Sequence, residues 1–194
     1  MGDIVQGMSL GSVGDVNALD REAQDGPREL PPTCSSLRRR TAAAVYLIAA
    51  IIVLADQAAK LAVVRWLQPL ETVRLTSWLS LTWATNTGGA FGVLATNTVQ
   101  LIVVAVVVVT GLVLVAPRLG TSRLLMFAMA AVMGGAIGNL IDRVRVGYVI
   151  DYLDLHFWPV FNIADIAITV GAGLLIIATI LGQPQCACCR EDSD

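Results

Sequence analysis

Four aspartates, Asp56, Asp142, Asp151 and Asp165, stand at the ends of long apolar runs or between them, in the company of Lys60, Arg143, Asn86, Asn139 and Asn162. Ionisable groups so close to lipid are costly, and a functional role is their default reading. Two carboxylates held side by side do not both ionise easily. They share one proton near neutrality, so that one takes a proton from water while the other donates to a carbonyl. That chemistry breaks an amide bond with no metal and no cofactor, and none is expected here. Neither a serine with a partner histidine nor the zinc-binding pattern H-E-x-x-H is readable in the chain, so an enzyme built on it is expected to use an acid pair. The residue types leave open which two of the four aspartates form it.

Each of these side chains also has a plainer use. Asp165 follows Asn162 by three residues at a helix start, where a carboxylate caps free amides and gains from the helix dipole. Asp142 and Arg143 are expected to form an interfacial ion pair that closes a helix. Asp56 and Lys60 lie four apart, on one helix face, and are expected to pair within it. Asp151 has no helical or capping use. Gly134, Gly135 and Gly138 read as a small-residue packing surface. The lone His156 sits among aromatics in a loop, with a packing or surface role. Cys34, Cys186, Cys188 and Cys189 lie outside every apolar run. The C-A-C-C cluster offers three thiols and no histidine, an incomplete metal site, and is expected to stay reduced.

The elements that must position these groups belong to a membrane protein. Of 194 residues, 56% are hydrophobic and only 14% charged, which fits an integral membrane chain rather than a soluble one. With a net charge of -2 and no basic run interleaved with aromatics, nucleic-acid binding is set aside. Residues 1–37 are rich in Gly, Ser, Pro, Asp and Glu and are expected to be a disordered cytoplasmic tail. They lack the pattern of a secretory signal. Residues 38–183 are expected to form a four-helix membrane domain, and residues 184–194 a cytoplasmic C-terminal tail.

Four spans fit, at about 41–65, 98–116, 122–143 and 162–182, each near the roughly 20 residues needed to cross the hydrocarbon. Arg38-Arg39-Arg40 before the first span argues for a cytoplasmic N-terminus, and an even number of crossings returns the C-terminus to that side. Pro117–Ser122 is then cytoplasmic, and Arg118 and Arg123 agree; Arg65, Arg74 and Arg145 fall in the outer loops and weaken the bias. Asp56, roughly 22 Å along its helix from the arginines, falls in the outer part of the membrane. The second span has no ionisable group and reads as lipid-facing scaffold.

In the long loop 66–97, Glu71–Trp83 reads as one or two short strands, and Tyr148–Leu155 as another extended segment. Trp66, Trp78 and Trp83 suit the headgroup level. The fold class expected is an all-α membrane protein with four transmembrane helices and a small extracytoplasmic β-rich loop region. Two other classes compete with an enzyme: a transporter, which needs polar residues spread through the membrane depth, and an assembly protein whose acids only pair with arginines.

Five blocks in order, D-Q-x-x-K at Asp56–Lys60, N-T-G-x-A-F at Asn86–Phe91, G-G-A-x-G-N-x-x-D-R at Gly134–Arg143, V-x-D-Y at Val149–Tyr152 and F-N-x-A-D at Phe161–Asp165, closely resemble the bacterial lipoprotein signal peptidases, also called signal peptidase II. The resemblance implies an aspartic endopeptidase with Asp151 and Asp165 as its acid pair; Asp165, near a helix N-terminus, is expected to be the more acidic member, so that Asp151 carries the shared proton. Asp56, Lys60, Asn86, Gly88, Asn139, Asp142, Arg143 and Asn162 would line and support that site. It implies a prolipoprotein substrate bearing diacylglycerol on a cysteine and cut just before it. It further implies a monomer among membrane lipids of the bacterial inner membrane, with its site near the extracytoplasmic face. Tyr152 stands where the family usually has Phe, and Gly89 where Ala is common.

Overall fold

The computed structural model describes residues 34–67, 71–88, 97–118 and 122–181. The expected acidic tail up to residue 33, Gly89 and the C-A-C-C cluster lie outside the described residues. In chain order the elements are α1 (Cys34–Trp66), β1 (Thr72–Arg74), β2 (Ser80–Asn86), α2 (Thr98–Val115) with a 3-10 turn at Ala116–Arg118, α3 (Arg123–Val146), β3 (Val149–Asp154) and α4 (Ile163–Ile180). Among the described residues, four helices are long and apolar enough to cross a bilayer.

Helix α1 begins at Cys34, so residues 34–37, expected in the tail, are helical. Arginine is a good helix former, and a helix carries its own backbone hydrogen bonds through the interfacial layer, so nothing in the triple arginine stops it. The other helices begin on recognisable signals, and α3 also ends on one. Asn97 caps α2 by accepting from the Val99 amide, and Ser122 caps α3 at Leu125. Helix α3 stops at Gly147, whose φ of 85° lies in the left-handed region that glycine adopts without strain.

The two loop segments read as extended join in one antiparallel sheet of order β1-β2-β3. Thr72 pairs with Thr82 on one side of β2, and Ala84 with Asp151 on the other, after an irregularity between Leu81 and Ala84. This register brings Asn86, at the end of β2, opposite Val149 and within reach of Asp151. Trp66 and Trp78 are 83% and 59% exposed, as an interfacial belt requires, whereas Trp83 in the central strand is half-buried.

Helix α3 is the hub, packed against α1, α2 and α4. Lipid tails are as apolar as leucine, so close van der Waals contact has to hold such helices together. The glycines provide it. A Cβ at Gly134 would lie 2.9 Å from the Ala49 carbonyl oxygen of α1, and one at Gly135 2.4 Å from that of Ala164 in α4. By contrast α2 buries no residue at all, in keeping with a lipid-facing scaffold.

Gly135→Ala is therefore expected to destabilise the protein by about 1–3 kcal/mol, since rigid backbone stands where the methyl must go. Gly111→Ala, with nothing within 4 Å of the added carbon, should be neutral or stabilising by up to about 1 kcal/mol. Thermal unfolding of the two variants in one detergent checks the contrast.

Candidate functional site

The start of α4 anchors the site. Asn162 caps the helix, its Oδ1 accepting from the Asp165 amide at 2.8 Å, while Asp165 Oδ2 accepts from the Asn162 amide at 3.3 Å. Capping thus occupies one carboxylate oxygen of Asp165 only. The other, Oδ1, accepts from Asn139 Nδ2 of α3 at 2.8 Å. Asp165 is half-buried and faces a cavity of about 410 Å³, with Asn86, Gly88, Asn139 and Arg143 also on its walls.

Asp151, on β3, is only 2% exposed. Its Oδ1 accepts from Asn162 Nδ2 at 2.6 Å and its Oδ2 from Asn86 Nδ2 at 3.0 Å. Burial and, after it, the charge of Asp165 push the Asp151 carboxyl up to about 7; the Asn86 and Asn162 hydrogen bonds and Lys60 oppose that rise. The same asparagine, Asn162, binds Asp151 through its amide nitrogen and Asp165 through its oxygen. The Asp151 carboxylate and the Asp165 backbone amide, from separate elements, are thereby held on one side chain.

Behind them lies a buried ionic cluster. Lys60 Nζ is 2.8 Å from Asp56 Oδ2, 2.7 Å from Asp142 Oδ2 and 3.0 Å from Asn139 Oδ1. An ammonium has three hydrogens, and here each has an acceptor. Asp56 also takes the Ala164 amide of α4 at 3.0 Å, and Asp142 the Ile150 amide of β3 at 3.3 Å. Asn139 Oδ1 receives Lys60 and, at 3.2 Å, Asn162 Nδ2, which leaves its amide nitrogen turned toward Asp165.

The expected Asp56–Lys60 pair within α1 is present. The expected Asp142–Arg143 pair is replaced by Asp142–Lys60, because consecutive helical residues do not face each other. Arg143 instead donates to the Gly88 carbonyl at 3.3 Å. Gly88 in turn donates its amide to Asn86 Oδ1 at 3.1 Å, so the guanidinium braces the turn that carries Asn86.

A serine–histidine pair, unreadable from positions 76 apart, does exist: Ser80 Oγ lies 2.9 Å from His156 Nε2. Ser80 is fully buried, and Asp154 takes the His156 backbone amide at 2.7 Å, so the pair fastens the sheet. His156 itself is exposed and has a φ of 65°. Gln57 is a site residue that sequence reasoning passed over. Its amide nitrogen reaches Asp56 Oδ2, Asp142 Oδ1 and the Gly138 carbonyl at 3.1–3.2 Å, and its position beside Asp56 was the available signal.

The Tyr152 hydroxyl is buried beside the site without a hydrogen-bond partner, and burial pushes it up to about 12. The Ile163 amide is near it but outside hydrogen-bonding geometry. Among the described residues, no group of three His, Cys, Asp or Glu side chains is arranged to hold a metal ion. Among the described residues, the buried ionisable groups of α1, α3 and β3 meet at one end of the bundle and α2 has none, so these groups form no relay through the membrane depth.

A family model described as signal peptidase (SPase) II matches residues 48–181. The chain is 40% identical over 134 residues to the lipoprotein signal peptidase of Halothermothrix orenii, covering 69% of this chain and 92% of that one. It is 46% identical to the corresponding protein of Moorella thermoacetica, covering 67% and 89%. The fold is similar to that of a solved bacterial membrane enzyme that is 29% identical, with a TM-score of 0.66 over 70% of this chain and 87% of the other.

Replacing Lys60 by Met should leave two carboxylates buried with no cation and cost about 3–5 kcal/mol of stability. Adding Asp56→Asn and Asp142→Asn to that variant should recover part of the loss, read as the unfolding temperature in detergent.

Proposed function

Since this chain belongs to the signal peptidase II family, we propose that it removes the signal peptide from prolipoproteins that carry diacylglycerol on a cysteine, with Asp151 and Asp165 as its paired acids. The observation that carries the assignment is Asn162, whose side chain donates to the Asp151 carboxylate and whose backbone amide donates to the Asp165 carboxylate.

The two carboxyls play unequal parts. Asp151, buried and pushed up to about 7, retains its proton at neutral pH to the extent that a donor needs. Asp165, open to the cavity and holding two hydrogen bonds, receives the proton of a water placed between the pair. As that water attacks the scissile carbonyl, Asp151 gives its proton to the carbonyl oxygen. When the tetrahedral intermediate collapses, Asp165 returns a proton to the departing amine and Asp151 is reprotonated from the new carboxyl group. Asn86, Asn139 and Asn162 keep the carboxyls oriented throughout. The apolar walls of the cavity, among them Leu101, Val104 and Val108 of α2 and Ile168 of α4, offer the substrate's lipid and signal-peptide chains a surface continuous with the bilayer.

Arg38, Arg39 and Arg40 open α1, and Arg118 and Arg123 flank the link between α2 and α3, all at the end away from the aspartates. By the positive-inside rule that end is cytoplasmic, together with both termini, and the acid pair works at the extracytoplasmic edge.

Asp151→Asn or Asp165→Asn should lower cleavage of a lipid-modified precursor by about 10²–10⁴-fold or more, with the protein still in the membrane and an unmodified precursor left uncut by the wild type. Normal turnover by either variant would sink the assignment. The pH profile supplies a second test. A carboxyl raised to about 7 is protonated below that pH and loses its proton above it, so kcat/KM should fall on the alkaline side with a midpoint near 7. Asn86 favours the ionised form of Asp151, and Asn86→Ala should move that limb to higher pH.

A further inference from the structure

The cavity beside the acid pair is longer than the pair needs. Its floor on α3 runs from Arg143 to Val132, roughly 16 Å at 1.5 Å per residue. Asn86, Asn139 and Arg143 supply polar groups at the outer end, whereas the α2 wall and the inner floor at Val132 and Ala136 are aliphatic. One polar side chain interrupts that inner part. Thr169 follows Asp165 by four residues on α4, so the two share a helix face, with Thr169 roughly 6 Å farther into the span.

A helical threonine commonly bonds back to the carbonyl four residues earlier, as Thr179 does to Leu175 at 2.8 Å. Among the described residues Thr169 makes no such bond, and it is exposed where it lines the cavity. Its hydroxyl is left for whatever fills that space. Resting on the reading of the protein as a prolipoprotein-cleaving peptidase, we infer that Thr169 binds a backbone carbonyl of the signal peptide, two residues before the carbonyl that is attacked.

The geometry of the peptide selects that partner. A bond reached by water between two carboxylates has to be extended, since a helix would keep its carbonyl inside the hydrogen-bonded ladder. Carbonyls freed from a helix lose their internal partners, and in an apolar cavity each costs free energy until a donor meets it. A signal peptide has an apolar core and leaves the cut toward the hydrocarbon, along the part of α4 where Thr169 stands. An extended chain advances about 3.3 Å per residue and repeats its orientation every two residues. Two residues therefore span roughly the 6 Å between Asp165 and Thr169, and bring a like-oriented carbonyl to the hydroxyl. The carbonyl has no hydrogen to give, so Thr169 is the donor.

The test is steady-state kinetics of the full chain in detergent on two synthetic diacylglyceryl-modified precursors, one of them with an ester in place of the amide that bears this carbonyl. Thr169→Val keeps the shape of the side chain and removes the hydroxyl. It should raise KM roughly three- to tenfold and leave kcat and the unfolding temperature unchanged, because the lost bond is made equally in ground and transition states. Thr169→Ser should restore the wild-type KM. An ester carbonyl is the poorer acceptor, so the ester should raise KM for the wild type by more than it does for Thr169→Val. The N–H that the ester also lacks is missing for both enzymes, and the comparison isolates the carbonyl. An unchanged KM for Thr169→Val, on a precursor that the wild type cleaves, would overturn this inference alone. So would an ester penalty of the same size in both enzymes. No cleavage by the wild type would overturn the reading of the protein beneath it, and this inference with it.

Discussion

The Lys60 ammonium is the contact on which the rest of the molecule turns. Buried to 2% exposure, it is stable only because three acceptors from two helices surround it: Asp56 of its own helix, and Asp142 and Asn139 of α3. A buried ion pair contributes little net stability after desolvation, but it demands one geometry. Here that geometry sets the register of α1 on α3. Through Asp56 it also captures the first-turn Ala164 amide of α4, and through Asp142 the Ile150 amide one residue before Asp151. The same amine holds Asn139 in the orientation that presents its nitrogen to Asp165. Both aspartates of the proposed pair are therefore placed by one cation that touches neither.

Such a cluster needs backbones close enough for short side chains to meet. Gly138 shows the constraint, since a Cβ there would fall 2.7 Å from Asp56 Oδ2. The glycines of α3 thus serve the polar site as well as helix packing. On the other side of the cavity α2 contributes only aliphatic wall, without a single buried residue. Three helices hold charge in a fixed place, and the fourth keeps one face of the site in contact with lipid.

How much of this the chain disclosed on its own follows from the range of each interaction. The Asp56–Lys60 pair and the Asn162–Asp165 cap are local, and spacing alone revealed them. The strands were legible from composition, but their pairing was not, and with it went the Ser80–His156 contact and the approach of Asn86 to Asp151. Adjacency in sequence is a poor guide to the partner of Asp142, because neighbours on a helix diverge and its pairing with Lys60 depends on the rotation of α3 against α1. The identity of the acid pair lay between these cases. Asp151 stands out as the one acid with no capping or helical use, but choosing it and Asp165 from four needs the resemblance of whole blocks.

The depth of the site joins its chemistry to its proposed substrate. An acid pair that activates water has to reach water, and a bond next to a lipid-bearing cysteine stays within a few residues of the bilayer surface. Both conditions hold only at the membrane edge. There burial raises the Asp151 carboxyl to about 7 and Asp165 stands on the cavity wall, the arrangement that the proposed division of labour between them requires. Deeper in the hydrocarbon, water would be missing. Farther out on the sheet, Asp151 would be solvated, its carboxyl would return to the ordinary range, and the inequality between the two acids would vanish. The buried cluster behind the pair allows it to sit at that boundary, because each of its charges already has a partner inside the protein.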